Sequence, residues 1–172
     1  QRRSRSLLAQ DLDRLEELAD GLEVTIKQQF AGPLTLAATV ERPRGDKLLA
    51  DHGARRELGE ALAAGLSDHL RDLGRRFAHS DLIVQIDEPA ISAVLAGSVP
   101  TASGFGKHRT VEPPEADVLL GQLVSVIHAA GATAVLHSCA PGVPLKLIAG
   151  AGFDAISFDL KLAQVADDWA EV

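Results

Sequence analysis

Two apolar runs in this chain end in residues able to do chemistry. Leu82-Ile83-Val84-Gln85-Ile86 leads into Asp87-Glu88-Pro89-Ala90, and further on Ala134-Val135-Leu136 leads into His137-Ser138-Cys139. In a strand, side chains two apart point the same way, so His137 and Cys139 project together from one strand end. An imidazole and a thiolate side by side are two of the ligands that a tetrahedral zinc takes. Asp87, at the end of a neighbouring strand, faces the same space. Asp159 ends the next run, Ala155-Ile156-Ser157-Phe158, where its oxygen could make a third metal contact or could cap a following helix. Asp87 and Glu88 read as turn residues or as functional carboxylates. Two acids directly after an apolar strand are costly near a core without a task, which favours function.

These groups need a frame, and the composition supplies one. The chain has 172 residues, 46% of them hydrophobic and 24% charged, which suits one folded domain with a substantial core. A net charge of −7 argues against nucleic acid or an anionic membrane as the main partner. No run approaches the roughly 18 apolar residues of a membrane span, and the Arg-rich start has no signal-peptide core. One cysteine makes no internal disulfide, which fits a reducing, cytoplasmic setting. A chain without Met that begins Gln1-Arg2-Arg3-Ser4-Arg5 is expected to be a piece of a longer protein.

The elements follow from periodicity. Leu8, Leu12, Leu15, Leu18 and Leu22 recur at helical spacing, and so do Leu58, Leu62, Leu66, Leu70, Leu73 and Phe77. Val24 to Phe30 reads as a strand broken by Gly32-Pro33, and Leu82 to Ile86 as a strand covered on both faces. Pro113-Pro114-Glu115 starts a helix that Gly131 ends. Thr133 to Leu136 is a strand, Val143 to Ala149 a short helix, Ala155 to Phe158 a strand, and Lys161 onward a helix. Strands alternating with helices predict a parallel sheet of about four strands with outer helices. No Gly-rich phosphate fingerprint follows any strand, so the fold class expected is α/β, a partial (β/α)8 TIM barrel with active groups at the C-terminal strand ends. Eight strands make such a barrel, and four are visible. The two sheet edges then invite another copy of the chain, as a homo-oligomer, or the missing barrel half.

Two loops carry further candidates. In Gly32-Pro33-Leu34-Thr35, Thr35 either caps the next helix or shapes a tight turn that leaves room for a ligand. Thr101 to Arg109, with Lys107, His108 and Arg109, is either a solvated loop or a lid that meets an anionic substrate. His52, His69, His79 and His128 read as surface or structural.

Together, Val84-Gln85-Ile86-Asp87-Glu88-Pro89-Ala90, His137-Ser138-Cys139 and Gly32-Pro33-Leu34-Thr35 resemble the catalytic domain of cobalamin-independent methionine synthase. That family shares a barrel superfamily with uroporphyrinogen decarboxylase and the coenzyme M methyltransferases. The resemblance runs from about Phe30 to Asp159. It implies a methyltransferase that carries a methyl group from methyltetrahydrofolate or a corrinoid to the thiol of homocysteine, giving methionine. It implies Zn2+ at His137 and Cys139, with Asp159 where the family has a glutamate ligand. The family's fourth ligand, a cysteine, would come after Val172. Asp87 matches the aspartate that holds the amino group of homocysteine, and Glu88 stands beside it as a substrate contact. The family's motif for the homocysteine carboxylate is absent, and Thr39 stands where the folate enzymes have a pterin-stacking tryptophan. Rival readings are a porphyrinogen decarboxylase-like barrel, a coenzyme M methyltransferase-like barrel, and a non-catalytic fragment with a degenerate metal site.

Overall fold

The computed structural model describes residues 2–43 and 45–162. A first helix, α1 (Arg2–Ala19), precedes strand β1 (Ile26–Ala31) and a short helix α2 (Pro33–Thr39). A loop with a 3-10 turn at Leu48–Ala50 leads to α3 (His52–Arg76), then β2 (Leu82–Asp87) and the short α4 (Ile91–Leu95). After a longer loop come α5 (Pro113–Ala129), β3 (Thr133–Ser138), α6 (Leu145–Gly150) and β4 (Ala155–Phe158). The helix expected from Lys161 lies outside the described residues, apart from a turn at 160–162. No helix among the described residues is long and apolar enough to cross a membrane.

All four strands form one parallel sheet in the order β1-β2-β3-β4. Chain order and spatial order coincide, so every crossover steps the same way. A doubly wound sheet reverses direction at a switch point, and this one does not. Crossovers of one hand then lay their helices on one face, as the packing records. Leu82, Val84 and Ile86 of β2, with Ile26 of β1 and Ala134 of β3, meet Leu12, Leu66, Leu70, Leu73, Leu123 and Ile127 from α1, α3 and α5. A second cluster toward the C-terminal strand ends joins Leu34, Ile91, Val94, Leu120 and Ile148 to Leu136. This is the helix-backed parallel sheet of a partial α/β barrel.

The α3 stripe behaves as its periodicity predicts, with Leu66, Leu70 and Leu73 buried. The stripe of α1 is used only in part. Leu12 is buried and Leu15 packs beside it, while Leu8 and Leu18 stay exposed, because α1 meets the core only around Leu12, Leu15 and Ala19. Leu22, also exposed, falls beyond the end of α1. Arg76 fixes the approach of this helix, bonding Asp13 and Glu16 of α1 as well as Asp72 of its own helix.

The first turns of α3 and α5 are clamped together. Arg55 donates to both oxygens of Glu115, at 2.6 and 2.9 Å, and to the Leu49 carbonyl. The Arg55 guanidinium holds the Glu115 carboxyl below its ordinary pKa, against a smaller opposing effect of burial. A planar two-point pair that is largely enclosed keeps more of its Coulomb energy than a surface pair. A double-mutant cycle of Arg55→Ala and Glu115→Ala, read by chemical denaturation, is expected to give a coupling of about 1–3 kcal/mol. The Glu115 contribution is present above a pH of about 4.5 and is lost as the pH falls through its lowered native pKa. A coupling near zero would show the clamp to be a surface contact.

Candidate substrate and metal site at the strand ends

Register decides which residues meet. Ala31 of β1 is the Cα partner of Asp87, Asp87 of His137, and His137 of Ser157. Partners in a parallel ladder share a face, so Asp87, His137 and Ser157 stand in one row across β2, β3 and β4. Neighbouring strands lie about 4.8 Å apart, which brings the Asp87 and His137 side chains within reach of one small ligand. The row is at the C-terminal edge, on the face opposite the helices, where barrel enzymes place their chemistry. Cys139, an exposed free thiol, follows directly beyond β3.

Each group in the row is held by one neighbour. Gln85, buried on the same face two residues before Asp87, donates to Asp87 Oδ1 at 2.6 Å. Ser157 Oγ lies 3.0 Å from His137 Nδ1. One atom of each group is thereby committed, and Asp87 Oδ2 and His137 Nε2 carry no hydrogen bond among the described residues.

Glu88, expected among the substrate contacts, is enclosed instead. Strand alternation turns it away from Asp87 to the helix side, where it has 0% exposure. Its Oε1 accepts from the Leu34 amide at 2.8 Å, and its Oε2 from the Thr35 amide at 2.8 Å and the Thr35 hydroxyl at 2.6 Å. These are the open amides in the first turn of α2. Pro33 has no N–H, and Leu36 already bonds the Gly32 carbonyl. Gly32 makes room for the carboxyl, since a Cβ there would collide with it. Burial pushes the Glu88 carboxyl up to about 7, outweighing the Thr35 and Leu34 donors that pull it down. Thr35 is thus neither a cap nor the edge of a ligand space, since Gly32 is the N-cap of α2, Thr35 lies in its first turn and Glu88 fills the room at Gly32; the Thr35 hydroxyl also accepts from the Ala90 amide at 3.2 Å.

The donor set for zinc is correct in kind at two positions. His137 and Cys139 are nitrogen and sulfur donors two apart at one strand end. Asp159 is exposed, and its Oδ1 accepts from the Lys161 amide at 2.9 Å, closing a local turn, while the helix it was expected to cap lies outside the described residues. Among the described residues no three His, Cys, Asp or Glu side chains come together closely enough to hold a metal ion. A catalytic zinc takes three protein ligands, so the described residues alone do not complete one.

The other candidates lie apart from this row. The Thr101–Arg109 stretch is a hairpin bridged at Pro100 and Lys107, with Phe105 fully exposed at its tip. Asp46 Oδ1 anchors it, accepting from the Ala102 amide and lying 3.1 Å from Nε2 of the buried His108. His52 pairs with Glu115 and His128 with Asp154, while His69 packs edge-on against Phe30. A concavity of about 920 Å³ lies between α1 and the turn after α3, at the N-terminal strand ends. Barrel chemistry sits at the other end. Gln85, Ser157 and Asp46 escape a reading for chemistry-bearing motifs. Gln85 and Ser157 each left a faint signal, as the one polar residue inside an otherwise apolar run.

Comparison with known proteins returns nothing: no family model, no curated protein and no solved structure matches the chain.

The Glu88 arrangement makes two measurable statements. Glu88→Gln keeps the shape but turns an NH2 toward an amide donor, which is expected to cost roughly 1–3 kcal/mol in denaturant unfolding. The native pKa of Glu88 is raised, so its contribution to stability is full below about 4.5 and is lost as the pH rises through about 7. Glu88→Gln should flatten that part of the stability–pH profile. A profile unchanged by the substitution would show that Glu88 does not titrate there.

Proposed function

We propose that this chain carries the strand-end residues of a methyltransferase of the cobalamin-independent methionine synthase type. The methyl acceptor is the thiol of homocysteine and the donor a methyltetrahydrofolate or corrinoid. The observation that carries the reading is the row Asp87–His137–Ser157, with Cys139 next to it, on the open face of a helix-backed parallel sheet. The Asp-Glu-Pro-Ala and His-x-Cys segments that resemble the family are the segments that reach this row.

The roles follow from which atoms are free. Asp87, held by Gln85 at Oδ1, offers Oδ2 to the ammonium group of an amino-acid substrate as a charge-assisted acceptor. His137 Nε2 and Cys139 Sγ are the donors that would hold zinc, with further ligands supplied from outside the described residues. When bound, zinc would supply a Lewis acid that lowers the pKa of a thiol at neutral pH. In the transfer, a sulfur lone pair forms the bond to the methyl carbon as the bond from donor to methyl breaks. That bond's electron pair stays on the donor. The chain's own part is alignment, fixed by side chains that are each tied to a strand neighbour.

A decarboxylase of the porphyrinogen type would need arginines facing several substrate carboxylates. Among the described strand residues of the open face, from Lys27, Gln29 and Ala31 of β1 across to Ala155 and Ser157 of β4, none is arginine. The methyltransferase reading is therefore preferred.

The complete gene product is expected to contain about one zinc per chain and to methylate homocysteine from one of the two donors. Cys139→Ser should remove the metal and the activity while leaving circular dichroism unchanged. Asp87→Ala should lower kcat/KM by roughly 10- to 100-fold, the loss of one charge-assisted contact. Full activity in Cys139→Ser would remove Cys139 and zinc from the reading, and a zinc-free protein with no transfer would replace it with that of a non-catalytic domain.

A further inference from the structure

We propose that Ser157 is the positioning residue of His137, its Oγ accepting a hydrogen bond from Nδ1–H and leaving Nε2 as the electron pair that the strand-end row presents. The proposal deepens the methyltransferase reading and rests on it only for what Nε2 meets. A neutral imidazole carries its proton on one nitrogen, and the partner of the other sets which electron pair is available. His137 Nδ1 lies 3.0 Å from Ser157 Oγ, across one rung of the β3–β4 ladder. Both backbones are fixed by strand pairing, so the contact costs little ordering and turns Nε2 away from β4.

The kind of partner matters as much as its position. The ring nitrogens of His52, His108 and His128 lie against the carboxylates of Glu115, Asp46 and Asp154. His137 is paired with a hydroxyl, which orients the ring without adding charge. A hydroxyl that accepts from one ring nitrogen leaves the electron pair of the other as the group the row presents. The hydroxyl can accept from Nδ1–H because Ser157 lies on the open face, where its own O–H can donate to water. Gln85 treats Asp87 likewise: a neutral side chain holds one atom and leaves the other free.

Two measurements test this on the complete gene product. In protein labelled with ¹⁵N-histidine, long-range ¹H–¹⁵N correlation at a pH where imidazole is neutral reads the tautomer with no metal added. His137 is expected as the Nδ1–H form. Ser157→Ala should move it toward the Nε2–H form, and Ser157→Thr, which keeps the hydroxyl, should restore it. Titration with Co2+, followed by the thiolate-to-cobalt absorption, should show binding 10- to 100-fold weaker in Ser157→Ala. The band should be absent in Cys139→Ser. An Nε2–H form in the unaltered protein, or a tautomer unmoved by Ser157→Ala, overturns the proposal, as does a Co2+ affinity unmoved by that substitution where the cobalt band forms. A protein that shows the expected tautomer shift but no cobalt band keeps Ser157 as the positioning residue and removes the metal reading.

Discussion

The buried carboxyl of Glu88 is the constraint on which the strand-end corner depends. A seven-residue helix that opens with proline cannot hold itself, because it is too short to repay its own nucleation. Its exposed amides at Leu34 and Thr35 would be orphans in a closed interior. Glu88 satisfies both from another strand and takes the Thr35 hydroxyl as well. The surrounding backbone bonds extend the same stitch. Gly32 donates to the Asp87 carbonyl at 2.8 Å and Glu88 to the His137 carbonyl at 2.7 Å, so three strand ends are locked to one another. The level at which Asp87 and His137 stand is set by this corner.

Neighbouring residues therefore have opposite tasks. Asp87 faces the open side with one oxygen uncommitted, while Glu88 faces the helices with both oxygens engaged. The same alternation separates His137 from Ser138, whose side chain is fully buried on the helix side. Because a strand has period two, a site at its end can draw on alternate residues without disturbing those that pack. Removing Asp87 should touch the rim, and removing Glu88 should touch the fold.

Much of this was legible in the sequence, and the omissions have physical causes. Leucine periodicity locates α3, the proline start and glycine end locate α5, and the apolar runs locate β2, β3 and β4 to within about two residues. The helix–strand alternation gives the parallel sheet. The short helices α2 and α4 were not legible, since neither is long enough to show a repeat. They exist because tertiary bonds hold them. Periodicity also overstated α1, as a stripe shows which side of a helix is apolar and not how far the body extends beneath it. At the site, residue types singled out Asp87, Glu88, His137, Cys139 and Asp159, but type alone does not separate a buried carboxyl from an open one. Register between strands does, and register appears only once the pairing is known. Gln85 and Ser157 were hidden for the same reason.

The Glu88 bonds also order events in time. They link residues 53 and 54 positions apart, so they cannot form until β1 has paired with β2. Before that moment α2 has neither length nor a cap to sustain it, and the amides of Leu34 and Thr35 exchange freely with water. After it, they are shielded by a carboxyl deep in the interior. These two amide protons thus act as a clock for docking of the second strand. The chemistry at the rim can be assembled only after that clock has struck, because the same corner levels Asp87 with His137.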